Sequence, residues 1–108
     1  MMTKKEQLDM ILHEYENACA KHPKFCDILT TGSLSKIGEA LDIARVENKG
    51  PLANGNMILQ EEILESLEAY KLGEYEHTIQ ELAQCGAVIL RMMDFVIEEK
   101  LNETAKGA

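Results

Sequence analysis

Glu62 and Glu65 stand three residues apart, and so do Glu81 and Gln84, each pair on its own predicted helix with a short glycine-containing turn between the helices. An i, i+3 spacing on a helix points two side chains the same way. An antiparallel helical hairpin would bring the two pairs face to face. Oxygen ligands projecting from facing helices suit a hard divalent cation such as magnesium. The competing reading is plain: glutamate-rich helices are common, and the same spacing describes an acidic face in water. Spacing alone leaves both open. Glu81 is the harder residue to place in water, because it lies in an apolar stretch, close in angle to Cys85 and Val88.

Four helices are needed to position these residues. Thr3 and Glu6 have the spacing of a capping box, and Leu8, Ile11, Leu12, Tyr15, Ala18 and Cys19 follow at helical intervals until His22-Pro23 ends the first helix. Ser33 or Ser35 caps a weaker second helix carrying Leu34, Ile37, Leu41 and Ala44, which stops before Gly50-Pro51. Asn56 is the expected cap of a third helix, from Met57 to about Leu72 before Gly73. The fourth is expected from about Glu74 to Lys100, with a polar tail that frays after Leu101. The fold class is therefore all-α, a bundle of about four helices in a single domain over residues 1–108.

The last two helices differ in character. On the third, Leu59, Ile63, Leu67 and Tyr70 form an apolar stripe, with Glu61, Glu62, Glu65 and Glu68 on the other side. On the fourth, apolar residues from Leu82 to Ile97 surround nearly the whole circumference and leave a thin polar strip of Gln84, Arg91 and Asp94. Such a helix belongs in the centre of a bundle. Three neighbours of this size do not cover it, so a homodimer or higher homo-oligomer is expected.

Composition narrows the partners. The chain has 108 residues, 45% hydrophobic and 28% charged, with a net charge of -8. No dense basic stripe is present to displace counterions, which argues against nucleic acid as the main partner. No stretch is apolar enough to span a bilayer, and the start is not a signal peptide. Cys19, Cys26 and Cys85 are odd in number and lack a CxxC spacing, which fits reduced thiols in a cytoplasm. Glu74-Tyr75-Glu76-His77 has the Glu-x-x-His form of a di-iron bundle, but such a site needs a second copy and the chain has none, so chance is the better explanation. His13 and His22 are read as surface residues.

Around the acidic pairs the chain resembles the MazG-type, all-α nucleoside triphosphate pyrophosphohydrolases, whose pattern is EExxE followed on the next helix by ExxD. Glu61-Glu62-Ile63-Leu64-Glu65 matches the first part, and Glu81-Leu82-Ala83-Gln84 the second, with Gln84 in place of the Asp. The segment from Glu81 to Arg91 is similar to small phage-type relatives that carry this Gln. The resemblance covers residues 57–97, with a weaker echo at Ala20 to Phe25, while residues 26–56 match nothing nameable.

The resemblance implies hydrolysis of a nucleoside triphosphate to the monophosphate and pyrophosphate. It implies magnesium, or manganese, held by Glu62, Glu65, Glu81 and Gln84. Glu61 is then the residue that positions or deprotonates the attacking water, and Lys21, Lys24 and Arg91 are the phosphate contacts. Arg91 has an alternative structural role as a bridge to Asp94 or Glu81. Because Gln84 offers only a neutral oxygen, the second reading is a catalytically impaired relative that serves as a binding or oligomerisation module.

Overall fold

The computed structural model describes residues 2–24 and 28–107. It is all-α, with helices α1 (Lys4–Lys21), α2 (Leu34–Asn48), α3 (Gly55–Lys71) and α4 (Tyr75–Gly107), and the described residues contain no strand. The chain divides into two compact units, Met1–Leu29 with Leu90–Ala108, and Thr30–Ile89. Phe25 and Cys26, which figured in the sequence reading, lie outside the described residues.

In the first unit the capping box forms as expected. The Thr3 hydroxyl accepts from the Glu6 N–H at 3.1 Å, and Glu6 Oε1 accepts from the Thr3 N–H at 3.3 Å. One turn on, Gln7 is buried and donates Nε2 to Asp94 Oδ1 at 2.8 Å, and Lys4 Nζ lies 2.8 Å from the same oxygen. The Lys4 ammonium first, then the Gln7 amide, hold the Asp94 carboxyl below the usual range, with a smaller push from the Arg91 charge. Asp94 thus joins α1 to the second half of α4.

In the second unit α2 packs on α3. Ser33 caps α2 by accepting from the Lys36 N–H at 3.2 Å. Leu41 and Ile37 of α2, Ser66 and Ala69 of α3, and Thr78, Glu81 and Cys85 of α4 form the buried set. The turn from α3 to α4 is closed by Gly73, whose φ of 78° suits glycine. There the Glu74 N–H reaches Ala69 O and the Gly73 N–H reaches Tyr70 O, each at 3.0 Å. This pairing satisfies the last carbonyls of α3 and fixes the direction in which α4 leaves.

Four expectations are corrected. The cap of α3 is Asn54, not Asn56: its side-chain oxygen accepts from the Met57 N–H at 3.1 Å. The tail does not fray after Leu101, because α4 runs to Gly107, with the Thr104 hydroxyl donating to Lys100 O at 3.0 Å. The buried residues of α4 are Thr78, Glu81 and Cys85, whereas Leu82 and Ile89 in one unit and Phe95 and Val96 in the other are exposed. A chain this short leaves most of such a helix uncovered. Finally, the apolar stripe of α3 is not its buried face: Ser66 and Ala69 are buried, Glu62 and Glu65 are half-buried alongside Leu59, Leu67 and Tyr70, and Ile63 is exposed.

Candidate metal centre

The inward face of α3 is built at helical spacing from Glu62, Glu65, Ser66 and Ala69. Ser66 and Ala69 are small, and α2 packs on α3. Ser66 satisfies its hydroxyl on its own helix by donating to Ile63 O at 2.6 Å. The price of this packing is that carboxylates enter a partly dry space, which is costly unless they are paired, protonated or bound to a cation.

Oxygens of Glu61, Glu62 and Glu65 lie within 4.8 Å of one another. Glu81, on α4, lies near enough to Glu62 and Glu65 to act on both carboxyls, though outside that cluster. It is only 7% exposed. Buried oxygens of both Glu62 and Glu81, the Oε2 in each case, have no hydrogen-bond partner. The titration behaviour reflects the crowding. Burial first, and then the Glu81 and Glu61 carboxylates, push the Glu62 carboxyl above its ordinary range. Burial, with Glu61, Glu62 and Glu81 alongside, pushes Glu65 up to about 7.

Two cation-bearing side chains flank the carboxylates. Arg45, from α2, places Nη2 3.8 Å from Glu65 Oε1. His77, one turn before Glu81 on α4, places Nε2 3.0 Å from Glu81 Oε1. Asn48, at the end of α2, donates Nδ2 to Glu61 Oε1 at 2.9 Å and to Met57 O at 3.2 Å, which anchors the outer carboxylate of the group. A cleft of about 130 Å³ opens beside them, lined among others by Arg45, Glu65, Glu74, His77 and Glu81. That volume suits an ion with its waters or a phosphate group rather than a nucleotide, since ligand pockets run to about 300 Å³ or more.

Of the residues expected from the sequence, the structure brings together Glu61, Glu62 and Glu65, and Glu81 lies near Glu62 and Glu65 but outside that cluster. Gln84 is exposed on α4, and no hydrogen bond among the described residues ties it to the carboxylates. Lys21, Lys24 and Arg91 are exposed and belong to the other compact unit. Arg91 contributes charge to Asp94, whose ion pair among the described residues is with Lys4. Cys85 is buried one turn beyond Glu81, and burial first, then the Glu62 and Glu81 charges, push its thiol up.

Sequence reasoning passed over Arg45 and Asn48 and weighed His77 only within an unmatched Glu-x-x-His motif. The signal for His77 was its i, i+4 spacing to Glu81. Arg45 and Asn48 carried no signal, because their approach depends on how α2 packs.

The donor set fits a divalent cation. It offers carboxylate oxygens only, several of them mutually repelling, and two of those oxygens are buried without a donor. No helix among the described residues is long and apolar enough to cross a membrane. Compared with known proteins, the chain matches no family model, no curated protein and no solved structure.

Proposed function

We propose that the chain is a metal-dependent nucleoside triphosphate pyrophosphohydrolase of the MazG type, releasing nucleoside monophosphate and pyrophosphate. The observation that carries this reading is the acidic face of α3 turned inward onto Glu81, with the Glu62 and Glu81 oxygens left without donors. The EExxE pattern fits the same residues. Glu62, Glu65 and Glu81 would hold magnesium or manganese, with Gln84 as the added neutral oxygen. When bound, such an ion neutralises phosphate oxygens and lowers the pKa of a coordinated water.

Within this proposal the chain's own residues divide the remaining work. Glu61, fixed by the Asn48 amide, accepts a proton from the attacking water. Arg45, which is half-exposed beside Glu65, pairs with the phosphate chain through its planar fork. The cleft leaves no room for a base and sugar, and apolar side chains stay exposed on α1 and α4. A second copy of the chain, in a cytoplasmic homodimer or higher oligomer, would supply both the cover and the missing wall. Light scattering at micromolar concentration is expected to give at least twice the chain mass, and a strict monomer would remove this part.

One observation favours the second reading, a binding or oligomerisation module that has lost turnover: Gln84 is exposed and adds no charge to the set. A screen of ribo-, deoxyribo- and noncanonical nucleoside triphosphates with magnesium or manganese separates the two. Pyrophosphate release from at least one of them, abolished by chelation and by Glu62→Gln, is the expected result. No release from any would leave the module.

A further inference from the structure

Among the described residues, the unit formed by Met1–Leu29 and Leu90–Ala108 buries a single side chain, and that one is polar: Gln7. The contact that holds α1 to α4 there is the pairing of Gln7 and Lys4 with Asp94. Such bonds are directional but contribute modestly, so they fix the register of the two helices more than they stabilise them. Helices draw most of their stability from a packed apolar face, and this unit has the face without the packing. On α1, Leu8, Ile11, Leu12 and Tyr15 recur at i, i+3, i+4 and i+7, and each is 38% to 63% exposed. On α4, Leu90, Met93 and Ile97 form a second stripe, half-buried, that ends in the exposed Leu101. Ile11 stands one turn past Gln7, and Leu90 and Ile97 stand one turn to either side of Asp94. The two stripes therefore border the same polar pairing and make one surface.

We infer that this surface of α1 and the second half of α4 is where two copies of the chain meet, each contributing two helices to a four-helix bundle. The inference deepens the oligomer proposed above by naming its interface. A two-helix layer with one apolar side is half of such a bundle, and a two-fold axis supplies the other half from the same residues. The area agrees. The two stripes leave roughly 500 Å² of apolar surface open, which is the apolar share of the about 800 Å² that each partner buries in a standard interface. Held in register by Asp94, the layer is presented already formed, so association does not have to order it.

The test is sedimentation equilibrium of the full chain from about 1 to 200 μM for wild type, Leu12→Glu, Tyr15→Glu and Ile79→Glu. All three positions are exposed, so the variants are expected to fold, and Ile79 lies in the other compact unit as a control of equal chemistry. A charge buried at the centre of an interface weakens it strongly. Leu12→Glu and Tyr15→Glu are each expected to raise the dimer dissociation constant at least about tenfold, and Ile79→Glu to change it by less than about twofold. A dissociation constant unchanged in both α1 variants would overturn the inference while leaving an oligomer formed through another surface. A wild type that stays monomeric across the range would remove the interface and the oligomer together, and pyrophosphate release from that monomer would show that the proposed activity stands without them.

Discussion

Millimolar magnesium is expected to raise the melting temperature of the wild-type chain by roughly 10 °C or more, and Glu65→Ala is expected to abolish most of that rise. The physical basis is linkage: an ion that binds only the folded state at a hundredfold excess over Kd stabilises it by about 2.7 kcal/mol. For a domain of this size each kcal/mol moves the midpoint by about 4–8 °C. The effect concentrates at Glu65 because it lies between Glu61, Glu62 and Glu81 and is only partly solvated. Without metal the same residue acts in reverse. Glu65→Gln removes a repelling charge and is expected to leave the metal-free protein as stable as wild type, or more so, at pH 8. A substitution that stabilises the free protein and abolishes the gain from the ion distinguishes a ligand from an ordinary packing residue. Equal shifts with magnesium in wild type and Glu65→Ala would place binding elsewhere.

The metal-free protein is expected to lose stability as pH rises from 5 to 8. Glu65 is raised from 4.5 to about 7 in the fold. An acid whose folded value lies above its unfolded one contributes fully below the unfolded value, and that contribution is lost as pH climbs through the folded value. At about 1.4 kcal/mol per tenfold the displacement is worth about 3 kcal/mol at full strength, which water around the exposed quarter of the side chain reduces to about 1–2 kcal/mol. Glu62 is displaced the same way by burial and by Glu81, and adds to the slope. His77, raised chiefly by its hydrogen bond to Glu81, also loses its contribution as pH rises through its folded value. Asp94 is depressed, so its contribution is present above its ordinary value and lost only at lower pH, outside this window. The part due to Glu65 is isolated by subtraction: urea titrations at pH 5 and 8 should show a smaller decline in Glu65→Gln than in wild type. Parallel declines in the two proteins would mean that Glu65 titrates as an ordinary surface carboxylate.

Much of the architecture was legible because it is local. The Thr3 cap, the stop near His22-Pro23 and the break at Gly73 each depend on a few neighbouring residues and appear where the sequence placed them, and of the two serines offered for α2 the cap is Ser33. The cap of α3 was misplaced by two residues, since Asn54 and Asn56 both satisfy the same local rule and only the backbone selects between them. Spacing picked out Glu62, Glu65 and Glu81, and the resemblance added Glu61. Which way α3 faces was not. Hydrophobic patterning turns Ile63 inward and the acids outward, whereas packing through Ser66 and Ala69 leaves Ile63 exposed and Glu62 and Glu65 as half-buried as Leu59, Leu67 and Tyr70. Small residues give little weight to a pattern based on hydrophobicity, yet they decide how closely helices approach. Arg45 and Asn48 join the centre through contacts between helices, and no spacing within α2 announces them.

The central claim is that Glu62, Glu65 and Glu81 hold a divalent cation. Anomalous diffraction from crystals grown with manganese tests it most directly. The account predicts one strong peak or more within about 2.3 Å of carboxylate oxygens from all three residues. Clear density for all three side chains with no peak among them, at a manganese concentration that saturates any thermal shift, would contradict it.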